Sequence, residues 1–156
     1  MTTSSEGIPP APRCEPRPSP AAYGRAMATF TDAELEYLAG RRLARLATAS
    51  PGGQPDVSAV GFRVDGDTIT SGGIDLTKTV RYRHLLANPH ATIVIDDLAS
   101  VDPWRPRGVK VRGDATLEEL DGRPLIRIHP RVVWSWNVNE GADKRFASIE
   151  RRDVDR

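Results

Sequence analysis

From Arg41 onward, the chain consists of short runs of β-branched residues separated by turn residues, and this pattern constrains the fold more than any other feature. The longest run, residues 108–118, alternates between apolar and polar side chains. The apolar residues that share one face are Val109, Val111, Ala115 and Leu117. Successive side chains of a strand point to opposite faces, so this run predicts a strand with one buried face. The pattern as a whole predicts an antiparallel sheet or barrel.

Further strands are predicted at residues 43–49, 57–64, 68–71, 90–98, 125–129 and 132–136. Tight turns are predicted at residues 51–53 and 65–67, where Pro, Gly and Asp cluster. Six or so strands favour a closed or nearly closed barrel, because closure removes unpaired strand edges. Gly113, inside the longest run, indicates a bulge or the close approach of another backbone. A doubly wound α/β fold is disfavoured, since strands and helices do not alternate and no glycine-rich nucleotide-binding motif is present.

Three helices are predicted around these strands. Thr31 and Glu34 form a capping box, and the helix that they begin is expected to end at Gly40, because glycine accepts the left-handed conformation. A second helix is predicted over residues 77–88, where Pro89 stops it. The polar stretch 142–152 predicts a terminal helix.

The first 26 residues differ in composition from the rest of the chain. Six of the 13 prolines lie at positions 9–20, without apolar periodicity, which predicts a disordered tail. The 156 residues fall within the usual range of one domain. We therefore expect residues 27–156 to form a single domain.

Charge and cysteine content disfavour several classes of function. The 22 Lys and Arg residues against 21 Asp and Glu give a net charge of +1, so no global field attracts nucleic acid or a membrane. Cys14 is the only cysteine, which fits a reducing, cytoplasmic location. No apolar run approaches the roughly 20 residues that cross a bilayer.

A nucleic-acid-binding barrel is a rival interpretation. Such barrels stack bases on aromatic side chains, and only 6% of this chain is aromatic, so this class is disfavoured. Its phosphate track would consist of Lys78, Arg81, Arg83, Arg105, Arg107 and Arg112.

The segment around Lys78 and Arg81 is the clearest candidate for an anion site. Two cations three residues apart in the first turns of a helix lie on one face, near unpaired backbone amides and the positive end of the helix dipole. Thr77 and Thr79 add hydroxyl donors. An ordinary solvated basic face, with Asp75 or Thr77 acting only as a cap, explains the same residues equally well.

Several blocks in order carry a resemblance to a known family. They are TKTVRY at 77–82, NPHATIVIDD at 88–97, PWRPRGVKVRG at 103–113, and IHPRVV at 128–133 followed by Ser135-Trp136. Together they resemble the pyridoxamine 5'-phosphate oxidase-like family, and most closely its actinobacterial branch that depends on the deazaflavin coenzyme F420. The resemblance covers about residues 29–137.

The resemblance implies a split β-barrel that forms a homodimer, with a cofactor in the groove between the two subunits. It also implies a set of cofactor-binding positions. The strand at 58–63 would contact the tricyclic ring, the threonine, serine and basic positions would hold the phosphate and ribityl chain, and the late tryptophan would approach from the partner subunit. These positions are Ser58, Val60, Gly61, Phe62, Thr70, Ser71, Thr77, Lys78, Thr79, Arg81 and Trp136.

Three residues depart from the family pattern. Val132 and Asn137 stand where relatives tend to have arginine and glycine, and Trp134 is added. Trp134 and Trp136, two residues apart on a predicted strand, are expected to share one face. A second indole there is expected to narrow the groove, which bears on substrate range and on cofactor occupancy.

The function that the resemblance implies is hydride transfer between F420 and a small organic acceptor. Flavin mononucleotide (FMN) needs the same phosphate grip and is the alternative cofactor, and a non-catalytic dimer that binds or sequesters a cofactor is a third possibility. Because the cofactor supplies the chemistry, no general acid or base is assigned, although Tyr82 is a candidate proton donor. The scattered His84, His90 and His129 predict no metal site.

Overall fold

The computed structural model describes residues 28–139 and 149–154. The described helices are α1 (Asp32–Ala39) and α2 (Val80–Ala87), with a short 3-10 turn at Leu76–Lys78 just before α2. The described strands are β1 (Leu43–Ala49), β2 (Pro55–Gly61), β3 (Arg63–Asp65), β4 (Thr68–Ser71), β5 (His90–Ser100), β6 (Arg105–Leu120), β7 (Arg123–Trp136) and β8 (Glu150–Asp153). The predicted tail, residues 1–26, lies outside the described residues.

All eight strands belong to one antiparallel sheet in the order β2-β1-β5-β6-β7-β4-β3, with β8 added beside β7. The two ends of this order, β2 and β3, are consecutive in the chain and are separated only by Phe62. One bent segment therefore leaves one end of the sheet and enters the other. The predicted antiparallel split barrel is confirmed, with eight strands rather than about six.

The buried face of the sheet forms the core. On β6 the predicted alternation is confirmed, since Val109, Val111 and Ala115 are buried, whereas Arg112 is exposed. Side chains with almost no exposure fill the interior from several strands, among them Leu46, Ile69, Ile93, Ile95, Ile126 and Ile128. The helices pack on this core through Tyr37 and Leu38 of α1 and Leu85 of α2.

The two late strands predicted at 125–129 and 132–136 are one continuous strand, β7. Its pairing with β6 shifts register between Arg112 and Gly113, where Val132 and Pro130 are the respective partners. Arg131 is the extra residue that this bulge accommodates, so Pro130 does not end the strand. A Cβ atom on Gly113 would overlap the carbonyl oxygen of His129. The predicted bulge and close backbone approach at Gly113 are both confirmed.

The helix predictions are confirmed in part. The capping box of α1 is present, since Thr31 Oγ1 accepts from the Glu34 amide and Glu34 Oε2 accepts from the Thr31 amide. Gly40 is the C-cap but is right-handed, with φ −80°, so the predicted left-handed closure is wrong. Its amide bonds back to Tyr37 as the chain turns toward β1. Gly40 therefore ends the helix without using the positive φ that glycine allows.

Two other boundaries differ from the predictions. The α2 helix begins at Val80 rather than at residue 77, because Thr79 is its cap and the preceding turn is a 3-10 turn. The terminal helix predicted at 142–152 is wrong for residues 150–152, which lie in β8, while residues 142–148 are outside the described part. The β8 strand pairs with residues 132–135 of β7, beyond the residues that pair with β4. An available strand edge thus outweighs local helical preference.

Candidate cofactor site

The β2 strand has β1 as its neighbour on one side, and no described strand pairs with its other edge. Backbone N–H and C=O groups along that edge are available to a ligand. Ser58 lies on it, partly buried, with its hydroxyl 3.3 Å from Asp56 Oδ2. Val60 points into the core and Phe62 packs against it, so these residues, like Gly61, offer mainly backbone to the outside. The edge suits a flat ring held by main-chain contacts.

Thr70 and Ser71 lie on β4, where they help to close the barrel. Ser71 is buried, and its hydroxyl donates to the carbonyl oxygen of Gly61 over 2.8 Å. The Thr70 hydroxyl donates to the carbonyl oxygen of Arg63, a long contact of 3.4 Å. Both hydroxyl protons are directed at backbone carbonyl oxygens, one on β2 and one on β3. Their predicted contact with a cofactor stays a prediction.

Lys78 and Arg81 do not share the same environment. Lys78 lies on the 3-10 turn with its side chain 76% exposed, and its Nζ is 3.2 Å from Asp75 Oδ2. Arg81 lies in the first turn of α2, is partly buried, and has an enclosed Nε without a hydrogen-bond partner. Among the described residues, no carboxylate pairs with Arg81. It therefore holds an uncompensated positive charge close to the helix N-terminus, where anions are favoured.

The two threonines of this segment also differ. The Thr79 hydroxyl donates to the Leu76 carbonyl oxygen over 2.6 Å and accepts from the Tyr82 amide, so it serves as the cap of α2. Thr77 is exposed on the 3-10 turn. Tyr82, the candidate proton donor, is partly buried and packs against the core.

An open groove of about 820 Å³ lies between the loop after β4, strand β3 and the turn from β6 to β7. Arg63 and Arg123 line it, together with Gly72 and Gly73. A Cβ atom on Gly73 would come within 3.0 Å of Arg81 Nη2, so the Arg81 guanidinium packs against one lining residue. Two arginines and Asp121 thus line the groove, and Arg81 lies next to it against Gly73. Sequence reasoning did not identify Arg63 and Arg123, because pairing of distant strands, β3 with β4 and β4 with β7, brings them together.

Trp134 and Trp136 share one face of β7, as predicted, and it is the face opposite the buried Val133 and Ser135. Trp136 lies across Gly108 on β6, since a Cβ there would meet the indole at 2.5 Å. The absence of a side chain at Gly108 is what allows the ring to lie against the sheet. Trp134 is surrounded by cations, with Lys110 Nζ 4.0 Å from its ring centroid.

A polar cluster that the sequence analysis did not single out joins α1 to β5 and β6. The Tyr37 hydroxyl donates to Asp97 Oδ1 over 3.1 Å, and Arg107 binds both oxygens of Asp97 at 2.8 and 3.1 Å. Hydrogen bonds from Arg107, supported by Tyr37 and Arg41, lower the pKa of Asp97. Burial and the Asp97 charge raise the pKa of Tyr37 well above its usual range. Asp97 is therefore kept ionised and Tyr37 protonated, and the cluster has the structural role of holding α1 against β5 and β6.

The described histidines have hydroxyl or carboxylate neighbours. His84 contacts Thr48, His90 contacts Asp114 and His129 contacts Thr116, each at 3.0 to 3.1 Å. Within the described ranges, no three His, Cys, Asp or Glu side chains converge as a metal site. In the same part of the chain, neither helix has the length and apolar character needed to span a membrane.

Comparison with known proteins agrees with this architecture. The family model of pyridoxamine 5'-phosphate oxidase matches residues 30–137. The chain belongs to this family. The chain is similar in sequence to the 5a,11a-dehydrotetracycline/5a,11a-dehydrooxytetracycline reductase of Streptomyces rimosus. The two are 32% identical over 119 residues, which cover 70% of this chain and 84% of the reductase.

Solved structures of other proteins share the fold. A conserved hypothetical protein of Mycobacterium tuberculosis has a TM-score of 0.59 at 22% identity, covering 73% of this chain and 89% of its own. An F420 reductase has a TM-score of 0.54 at 22% identity, covering 67% of this chain and 98% of its own. At these identities the likeness shows a shared fold.

Proposed function

We propose that this protein is an F420-dependent oxidoreductase that transfers hydride between the deazaflavin and a small organic acceptor. Membership of the family and the 32% identity to a reductase support the oxidoreductase assignment. The observation that carries the cofactor site is Arg81. Its Nε is enclosed and has no hydrogen-bond partner, and no carboxylate among the described residues pairs with it, which fits a side chain that binds an anionic ligand.

The residues present fit a phosphate-bearing, flavin-type cofactor. Arg81 would hold the phosphate, with the exposed Lys78 as a second cation, and Arg63 and Arg123 would attract anionic groups to the adjoining groove. The open edge of β2 would bind the ring through backbone groups, and Trp136 of a second copy would cover it. When bound, the reduced deazaflavin supplies a hydride to an electron-poor carbon. The chain's own part is to orient the two reactants and to exclude water.

The same proposal implies a homodimer. A ring bound at the β2 edge of one copy would stay exposed to solvent unless Trp136, on the outer sheet face of a second copy, covered it. Exposed apolar side chains on β1 and β2, Leu43 at 66% and Val57 at 64%, support burial of that face by a second copy. Light scattering on the purified full chain tests the oligomeric state.

The decisive experiment titrates the full chain with F420 and, separately, with FMN, in wild type, Arg81→Ala, Lys78→Ala and Arg83→Ala. Charge-assisted hydrogen bonds contribute roughly 1.5–3 kcal/mol, so we expect Arg81→Ala to weaken F420 binding by about ten- to a hundredfold. Lys78→Ala should weaken it less, since Lys78 is exposed and already paired. Arg83, exposed on the same helix, is the control and should have little effect.

The outcomes separate the possible functions. Preference for FMN would make the protein a flavoenzyme of the same fold. Binding of F420 without turnover of any electron-poor acceptor would favour a cofactor-sequestering dimer. Failure to bind either cofactor would overturn the proposed site.

A further inference from the structure

A basic and aromatic platform, Lys110, Arg112 and Trp134, lies on the outer face of the sheet. Lys110 and Trp134 are direct cross-strand partners on β6 and β7. Lys110 Nζ lies 4.0 Å and Arg112 Cζ 5.1 Å from the Trp134 ring centroid. Lys110 and Arg112 are successive outward-facing residues of β6, and both make cation-π contacts with the Trp134 indole.

The charge of this platform is not neutralised. Arg151, which also contacts the ring at 6.0 Å, is paired with Asp153 at 2.5 and 2.6 Å. Among the described residues, neither Lys110 nor Arg112 has a carboxylate partner. Two like charges two residues apart on one strand repel each other, and an anion bound to both would offset that repulsion.

The neighbours of the platform are apolar. Val94 on β5 is paired with Lys110, and Val132 on β7 is paired with Arg112, and both valines are partly buried on the outer face. Arg45 on β1 is the cross-strand partner of Val94, so it lies in the same row of partners as Lys110 and Trp134. Its charge is already neutralised by Asp96 at 2.6 Å. The free positive charge is therefore confined to the part of the row that adjoins Trp134.

We propose that Lys110 and Arg112, positioned by Trp134, form a subsite for the anionic oxygen of a planar organic substrate, such as an aromatic carboxylate. The two cations bind the charged group and the valines contact the apolar body. Trp134 acts as a positioning residue, since it fixes the cations rather than the ligand. The assignment of this ligand as the substrate rests on the proposed function, whereas the anion site does not.

A purely structural role makes a different prediction. Cation-π pairs across strands stabilise a sheet and select no ligand. Only a binding site discriminates between an anion and its neutral isostere of the same shape.

The test is calorimetric titration of the full chain with 2-naphthoate and with neutral 2-naphthamide, with and without saturating F420. We expect 2-naphthoate to bind at least tenfold more tightly and to lose affinity as salt rises. Lys110→Gln and Arg112→Gln should each weaken 2-naphthoate at least fivefold and leave 2-naphthamide unchanged. Trp134→Leu should weaken it, Trp134→Phe should retain most of the affinity, and Arg45→Gln, the matched control on the same row, should not differ from wild type.

Each contrary result is specific. Equal affinity for the two probes, no binding of either, or unchanged affinity in Lys110→Gln and Arg112→Gln overturns the subsite. Competition between 2-naphthoate and F420 also overturns it, because the platform would then belong to the cofactor site. The cofactor titrations are read separately, so loss of F420 binding with intact 2-naphthoate binding overturns the proposed function alone.

Discussion

The hydroxyl of Ser71 donates a hydrogen bond to the carbonyl oxygen of Gly61, and this contact joins β4, which lies next to one end of the strand order, to β2 at the other end. Ser71 ends β4 beside β3, and Gly61 ends β2 just before the bend at Phe62. A serine and a glycine ten residues apart thereby help to close the barrel next to the edge that is proposed to bind the cofactor ring.

Ser71→Ala is expected to destabilise the protein by about 1 kcal/mol, because a buried hydrogen bond of good length is lost. Thr70→Val on the same strand is the control. Its bond to Arg63 is 3.4 Å long, so the loss should be only a few tenths of a kcal/mol. Urea unfolding of both variants measures the difference, and equal losses would contradict the closing role of Ser71.

Gly113→Ala is expected to lower stability by about 3 kcal/mol, because the new methyl group overlaps the His129 carbonyl at the bulge and the strands must separate. In a chain of this size that corresponds to a melting temperature lower by about 10 °C. Gly52→Ala, where the nearest atom is a side-chain oxygen at 3.8 Å, is the control. A Gly113→Ala protein as stable as the control would show that the bulge tolerates a side chain.

Arg152→Met is expected to release β8 from α1. Arg152 Nη2 lies 2.7 Å from Glu34 Oε2, and the Glu34 side chain is 1% exposed, so the variant leaves a buried carboxylate without its cation. Breaking such a pair costs about 3 kcal/mol. Hydrogen exchange should show loss of protection in β8. Arg151→Met, which breaks the exposed pair with Asp153, should cost less than about 1 kcal/mol. Equal losses of stability in the two variants would contradict a stabilising role of the buried Arg152–Glu34 pair.

Asp97→Asn is expected to cost about 2 kcal/mol at neutral pH, because the carboxylate holds Arg107, Arg41 and Tyr37 together. The pKa of Asp97 is depressed in the folded state, so its contribution is present above its ordinary pKa of 3.8 and is lost as the pH falls through the folded value. The stability gap between wild type and variant should therefore narrow below about pH 4.

The control for this pH dependence is Asp96→Asn, whose exposed pair with Arg45 should contribute little. Free energies of unfolding at several pH values between 2 and 7 measure both variants. A gap for Asp97→Asn that stays constant down to pH 2 would show that the depressed pKa does not stabilise the fold.

Much of the fold followed from local pattern. Alternation along residues 108–118, the turn residues at 65–67 and the capping box of Thr31 and Glu34 act over a few residues, and each is present in the structure. The bulge at Gly113 was also predictable, since only a residue without a side chain fits a strand interior crossed by another backbone.

Other features depended on tertiary contacts. Residues 150–152 carry a polar sequence that favours a helix in isolation, yet the free edge of β7 and the buried Glu34 recruit them into a strand. Two strands were predicted at 125–129 and 132–136, but the extra residue Arg131 lets the pairing continue through Pro130 as one strand. Such outcomes depend on partners far away in the chain.

The sequence by itself determined the barrel class and the shared face of Trp134 and Trp136, because strand period is local. Only the tertiary structure decided which cation is unpaired, which groove arginines join it and which charges surround Trp134. Ion pairing and burial depend on side chains that strand pairing brings together from distant parts of the chain, and no local pattern records them.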